Sequence, residues 1–194
     1  MPRVIALISG KRKSGKDYVS NTLQAYTSGK SEVVKISRPI KTHWAKEKNL
    51  DLDELLSDSG YKEQYRLEMI KWSEEIRAKD YGYFCRTACE SAKDNVIWIV
   101  SDVRRKTDIQ WFKETYGSKV RTIRINADEE IRKNRGYVFT PGVDDAPSEC
   151  DLDDYTEWDL VLNNNNENLE RVQQFVNRLV PSLEPVGFVD FPNF

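Results

Sequence analysis

The stretch "GKRKSGKD" at residues 10–17 crowds Lys11, Arg12, Lys13 and Lys16 between two glycines, directly after the apolar run "VIALIS" at residues 4–9. Like charges this close repel one another, so such a run is either spread over solvent or gathered around a polyanion. The glycines decide between the two. Gly10, Gly15 and Lys16 match the phosphate-binding pattern G-x-x-x-x-G-K-[ST] at every fixed position except the last, where Asp17 stands. The flanks fit as well: a β-type run precedes the loop and the helix-like "KDYVSNTLQAY" follows it. Strand, glycine turn and helix N-terminus together aim backbone N–H groups and the positive end of a helix dipole at one anion. Gly10, Lys11, Arg12, Lys13, Ser14, Gly15, Lys16 and Asp17 therefore read as a nucleoside triphosphate site.

Further β-type runs at residues 32–37, 95–100, 119–125 and 159–164 alternate with helical patterns near 16–27, 39–48, 61–79, 83–92, 107–116, 128–135 and 167–180. Three of the five runs are nearly continuous apolar segments, as strands buried on both faces require. The alternation predicts an α/β domain with a central parallel sheet of about five strands and helices covering it. A chain of 194 residues is long enough for one such domain. The "NNNN" at residues 163–166 reads as a turn after the last strand, and the tail "PSLEPVGFVDFPNF" as an extended strap with no assigned task.

Open sheets of this kind gather ligands beyond the carboxyl ends of their strands. Three segments fall there: residues 10–17 after the first strand, "SDVRR" at 101–105 after the third, and "NNNN" after the fifth. Asp102 follows the apolar "VIWIV", which makes it either a carboxylate that holds Mg²⁺ through water or a strand-end Asp capping the next turn. In "YKEQYRLEMIKWSEEIR", a continuous helix would put Lys62, Arg66 and Arg77 within about 60° of one another. Tyr65, Met69, Trp72 and Ile76 would form the neighbouring buried stripe. With Lys41, Arg86, Arg104 and Arg105 these cations suggest a second anion pocket; the alternative is a solvated face paired with Glu63, Glu74 and Glu75. One nucleotide does not require so many positive charges, whereas phosphoryl transfer to an already phosphorylated acceptor does. A phosphate oxygen is ionised near neutral pH and needs no general base, which suits a chain whose single histidine is His43.

The segment "EEIRKNRGYVFTPGVDDAPSECDLDD" places Arg132 and Arg135 on one helical face and then loses regular pattern through Gly136, Pro141, Gly142 and Pro147. It is expected to be a lid over about residues 128–154 that brings Arg135 to the transferring group and excludes water, the alternative being a plain surface loop. With 30 basic residues offset by 32 acidic ones, the net charge of −2 argues against general nucleic-acid binding. There is no signal-peptide pattern and no apolar run near the roughly 20 residues of a membrane helix, so a soluble, cytosolic monomer with no membrane partner is expected. Cys85, Cys89 and Cys150 have neither metal-ligand nor disulfide spacing and read as structural.

"SGKRKSGKD", "YKEQYR", "GYFCR", "SDVRRKTDIQWF" and "RGYVFTPGVDDAPSECDLDD" resemble, in order and over roughly residues 3–180, the animal-type phosphomevalonate kinases. The resemblance implies a nucleoside-monophosphate-kinase-like P-loop fold, a three-layer αβα sandwich with a mobile lid. It implies ATP and phosphomevalonate as small-molecule substrates, Mg²⁺ as the metal, and diphosphomevalonate as product. Asp17 departs from the generic loop yet matches this family, and a carboxylate there would hold Mg²⁺ either directly or through water. By the same resemblance Lys11 to Asp17 bind ATP, and Lys13 and Lys16 bridge charge developing on the transferred group. Arg104, Arg105, Lys62, Arg66 and Arg77, with Lys41 and Arg86, would hold the acceptor, and Arg135 would touch ATP. By the same resemblance Asn164 and Asn165 lie where the family binds ligand. The chain ends Pro192-Asn193-Phe194, so the peroxisomal tripeptide of some relatives is absent. Two rivals stand beside this reading: a nucleoside monophosphate kinase of the same architecture, for which no base pocket is evident, and a nucleotide-dependent switch, for which no water-positioning motif is evident.

Overall fold

Successive residues of a strand face opposite sides of a sheet, so a strand covered on both sides must be apolar throughout. β1 (Val4–Ser9) meets that condition as far as Ile8: Ile5 and Leu7 enter one buried cluster, Ala6 and Ile8 another on the opposite face. With β2 (Ser31–Val34), β3 (Ile97–Val100), β4 (Val120–Asn126) and β5 (Leu160–Asn163) it forms a parallel sheet of five strands in the order β2-β3-β1-β4-β5. β3 splits its run in the same way, Trp98 and Val100 to the first cluster, Ile97 and Ile99 to the second. Each fully buried Ile or Leu contributes roughly 1.5–3 kcal/mol. The computed structural model describes residues 1–165, apart from 28, 58, 59 and 93, together with residue 174. The helix expected at 167–180 lies outside the described residues, save residue 174, as does the phenylalanine-rich tail.

The helices are α1 (Lys16–Tyr26), α2 (Arg38–Lys48), α3 (Leu52–Leu56), α4 (Arg66–Lys79), α5 (Tyr83–Glu90), α6 (Lys106–Tyr116), α7 (Glu129–Asn134) and α8 (Pro147–Cys150). α1 lays Val19 and Leu23 on the second cluster, while Trp72 and Ile76 of α4, Phe84 and Ala88 of α5, and Ile109 and Phe112 of α6 cover the first. Helices on both faces of one parallel sheet make the three-layer sandwich that the alternating pattern predicts.

Three expectations about secondary structure need revising. The helix expected over 61–79 is a 3-10 helix at Gly60–Tyr65 followed by α4. A 3-10 turn advances about 120° per residue rather than 100°, so Lys62 does not share the phase of Arg66 and Arg77. β2 ends at Val34, which leaves Lys35 just beyond the carboxyl edge of the sheet. α3, capped by the Asp51 carboxylate accepting the Glu54 N–H at 3.0 Å, and α8 interrupt stretches without a predicted element. Within 128–154, residues 143–152 are tied to the body: Val143 and Leu152 are buried, and Leu152 shares a cluster with Val103 and Phe112. Val138 and Phe139, by contrast, are 73% and 55% exposed.

Candidate active site

The loop between β1 and α1 is shaped by two glycines for different reasons. A Cβ on Gly10 would lie 2.7 Å from the Ile125 carbonyl oxygen, so only hydrogen fits where the loop passes β4. Gly15 is the α1 N-cap at φ 89, a left-handed conformation that favours glycine. Lys13 also has positive φ, at 62, without being glycine, as constrained phosphate loops often require. No side chain caps α1, so its first N–H groups face the loop unclaimed. The Ser14 hydroxyl is buried with no hydrogen-bond partner among the described residues. The loop has the shape that the motif predicts.

Lys16 is nearly enclosed, its side chain 12% exposed, with Nζ 3.0 Å from Asp17 Oδ2. Burial, and next the Arg104 guanidinium, push its pKa below the ordinary lysine value against the pull of Asp17. Asp17 is held below the usual carboxylate range: burial would raise it, but the Lys16 ammonium beside it outweighs that effect. Asp102 accepts the N–H groups of Ile36 at 2.7 Å and Ser37 at 3.0 Å. It thus holds the turn that leads into α2, a role close to the turn-capping alternative but served to a different segment. Its charge also acts on both Lys16 and Lys41. Among the described residues no group of three or more His, Cys, Asp or Glu could hold a metal by protein ligands alone.

A second cationic region lies across Asp102. Lys41 of α2 is pushed down to about 8 by burial, then by Lys62, with Lys35 and Arg66 adding to the repulsion. Lys62 donates to the Ser57 carbonyl at 2.8 Å. Arg66 forks onto Glu63, Nε at 2.6 Å and Nη2 at 2.5 Å, so the pairing predicted for a solvated face occurs here, although the Arg66 side chain is only 22% exposed. Arg105, 6% exposed, pairs with Glu74 through Nη2, while its Nη1 is buried with no hydrogen-bond partner among the described residues. A buried donor left unpaired costs about 1–3 kcal/mol, and an anion supplied from outside removes that cost.

Carboxylates from the 143–152 region and beyond it stand against the phosphate-side cations. Arg12 Nη1 donates to Asp144 Oδ2 at 2.9 Å, Lys11 Nζ to Asp153 Oδ2 at 2.5 Å, and Arg104 Nη1 to Glu149. Arg124, on the carboxyl half of β4, donates to Ser9 Oγ at 3.1 Å and Asp153 Oδ1 at 3.3 Å and lies over the Trp158 ring. Burial, with Arg104 nearby, pushes its pKa down. Arg124 and Lys35 were missed from sequence because a cation inside a strand pattern reads as an edge residue; the register that puts Arg124 beside Ser9 is the missing signal.

Two predicted residues are not brought into this cluster. Arg77 turns to buried Asp108, Nη1 to Oδ1 at 2.6 Å, with its guanidinium over the Phe84 ring at the edge of the core. Arg86 is exposed and pairs with Asp80. The pair after β5 divides. Asn164 Nδ2 and Arg135 Nη1 both donate to the Ser14 carbonyl, at 2.9 and 3.3 Å, and Arg135 Nη2 donates to the Asn164 carbonyl at 2.9 Å. Asn165 instead bonds the Asp128 N–H and carboxylate, each at 2.8 Å, at the start of α7. Arg135 thus brackets the outer side of the phosphate loop.

A parallel sheet of this strand order, a glycine loop after its central strand and a cationic crevice at its carboxyl edge define a P-loop kinase. TT1252 from Thermus thermophilus shares the fold at a TM-score of 0.54 and 16% identity, over 95% of this chain and 100% of that one. A gluconokinase from Sinorhizobium meliloti does so at 0.50 and 13%, over 94% and 95%. The model of the phosphomevalonate kinase family matches residues 8–118. A Drosophila melanogaster protein named phosphomevalonate kinase is 53% identical over 181 residues, 90% of this chain and 96% of its own length. The chain belongs to the phosphomevalonate kinase family.

Proposed function

We propose that this protein transfers the γ-phosphoryl group of ATP to phosphomevalonate, forming diphosphomevalonate and ADP. The observation that carries this reading is the second cationic region, where Lys35, Lys62 and Arg66 gather near Lys41 with Asp102 as a counter-charge, beside a phosphate loop that already has its own cations. In the reaction an ionised oxygen of the acceptor phosphate attacks the γ-phosphorus. The bond from that phosphorus to the β–γ bridging oxygen breaks, and ADP leaves. No proton has to be removed from the nucleophile, so the lone histidine, stacked on Trp72, has no required part. Catalysis is then positioning and charge neutralisation.

Lys13 and Lys16 neutralise the transferring group, and Arg12 and Lys11 hold the polyphosphate. Arg104, Arg105, Lys41, Lys62 and Arg66 take the acceptor, with the orphaned Arg105 Nη1 satisfied by a phosphate oxygen. A Mg²⁺ bound largely by phosphate and water asks the protein for only one or two carboxylates, and Asp17 and Asp102 fit that need. The ion would neutralise charge on the phosphates. Residues 135–142, carrying exposed Val138 and Phe139, would close over the ligands as a lid, with Arg135 at the nucleotide. The protein would act as a cytosolic monomer; no helix among the described residues is long and apolar enough to cross a membrane. A coupled ADP-release assay comparing phosphomevalonate, AMP, UMP and GMP tests the reading. Turnover only with phosphomevalonate is expected, and turnover with a nucleoside monophosphate instead would overturn it.

A further inference from the structure

The sequence "GVDDAPSEC" at residues 142–150 holds three carboxylates that the transfer reaction itself does not employ, and two of them, Asp144 and Glu149, are buried. Their side chains are each only 5% exposed, and each faces an arginine of the site: Asp144 with Arg12, Glu149 with Arg104. Neither is free to swing away. Asp144 Oδ2 also accepts the Thr140 N–H at 2.8 Å, and the flanking Val143 and Leu152 are buried. An incoming phosphate would have to expose this packed segment to displace them.

The way the pairs are made matters more than their presence. Arg66 spends two donors on Glu63, but Arg12 bonds Asp144 through Nη1 alone. Arg104 uses Nη1 for Glu149 and, weakly at 3.5 Å, the Gly10 carbonyl. A guanidinium has five N–H donors in a rigid plane, so a single-donor anchor ties down one amino group and leaves the rest of the fork to grip phosphate oxygens. Arg104 meanwhile repels Lys16 and Arg124, lowering the pKa of both. Without a fixed counter-charge, the free enzyme would relieve that repulsion by turning the arginine out to solvent.

We propose that Asp144 and Glu149 are positioning residues that hold Arg12 and Arg104 from behind, keeping both forks aimed at the phosphates before substrates arrive. The inference rests on the phosphoryl-transfer reading above. It also opposes another use of the same contacts, in which the carboxylates compete with substrate phosphates and must be expelled. The two differ in sign: loss of a positioning group weakens binding, and loss of a competitor strengthens it.

The test is a pair of double-mutant cycles, each with thermal melting as a folding control. Glu149→Gln is expected to raise the acceptor KM roughly tenfold with a smaller change in ATP KM, and Glu149→Asp to recover part of it. In an Arg104→Ala background, Glu149→Gln should add almost nothing to the loss of kcat/KM, because the residue through which it acts is gone. Asp144→Asn should weaken ATP binding in calorimetry roughly tenfold, and have little effect once Arg12 is Ala. Tighter binding in either single variant, or full additivity in both cycles, overturns the proposal. If Glu149→Gln does not fold, the Asp144–Arg12 cycle decides alone. That arm needs no acceptor, so a wild-type protein inactive on phosphomevalonate would refute the functional reading and leave this test standing.

Discussion

Asp108 is the buried group on which most of the acceptor side hangs, and neutralising it is the sharpest perturbation available. The residue is 0% exposed at the third position of α6. Its Oδ1 accepts Arg77 Nη1 at 2.6 Å, while its Oδ2 accepts the backbone N–H groups of Arg104 at 3.1 Å and Arg105 at 3.0 Å. Asn matches Asp in size but offers one acceptor and one donor group. Whichever way its amide is turned, an NH₂ faces either the Arg77 guanidinium or two backbone N–H groups, and Arg77, 11% exposed, keeps its charge unpaired. Breaking a buried pair from one side costs about 3–5 kcal/mol. For a chain of this size each kcal/mol moves the melting temperature by about 2–4 °C, so Asp108→Asn should lose roughly 6–20 °C. Urea unfolding followed by tryptophan fluorescence gives the free energy directly. The double variant Arg77→Met/Asp108→Asn should be more stable than Asp108→Asn alone, since the stranded charge is gone. A single variant within about 1 kcal/mol of the parent would refute the reasoning.

Lys16→Met should lower kcat by roughly 10²–10³-fold with little loss of stability, because the ammonium is already disfavoured by burial in the free protein; steady-state kinetics and thermal melting check both halves. Arg105→Ala should raise the acceptor KM far more than the ATP KM, read by varying one substrate at a time, and a larger effect on ATP would place Arg105 on the wrong ligand. Lys41 gives two pH trends of opposite sign. Its folded pKa of about 8 lies below the ordinary 10.5, so its charge, and with it acceptor affinity, should fall as pH rises through about 8. Over the same rise the unfolded chain still binds the proton that the folded one has released, so stability should increase. Acceptor KM and urea unfolding between pH 7 and about 10 measure the two, and Lys41→Met should flatten both.

The phosphate loop and the five strands were legible because local pattern alone dictates them: "GKRKSGKD" needs no distant partner to be recognised, β3 is apolar throughout, and β1 is apolar from Val4 to Ile8. What sequence did not reveal depends on contacts between remote positions. The counter-charges of Arg12 and Lys11 lie 132 and 142 residues away, and that of Arg104 lies 45 away, so no spacing rule reaches them. The helical-face argument for Lys62, Arg66 and Arg77 misjudged both ends: the 3-10 turn at Gly60–Tyr65 shifts the phase of Lys62 yet leaves it near Lys41, and Arg77, in phase with Arg66 but further along α4, pairs with buried Asp108. Its charged residues still mattered: Arg66 lies near the crevice acids, its charge answering those of Glu149 and Asp144, while Arg77 serves the core-side carboxylate.

A crevice lined with cations must also survive empty, and this one resolves part of the conflict by giving Arg12 and Arg104 a buried carboxylate each, while Arg105, Arg66 and Arg124 pair with half-exposed ones. Asp144, Glu149 and Asp108 are at least nine-tenths buried, so each cation–carboxylate pair is screened little by salt and is worth more than a surface pair. The arrangement predicts a graded response to ionic strength. Salt at 0.5 M should weaken ATP and acceptor binding, whose charges meet in an open crevice, by about an order of magnitude. The melting temperature of the free protein should change far less, because the pairs that hold its cations lie behind the wall. If salt lowered both to the same degree, the cations would be held by exposed charge alone, and the buried carboxylates would have no special part in keeping the site assembled.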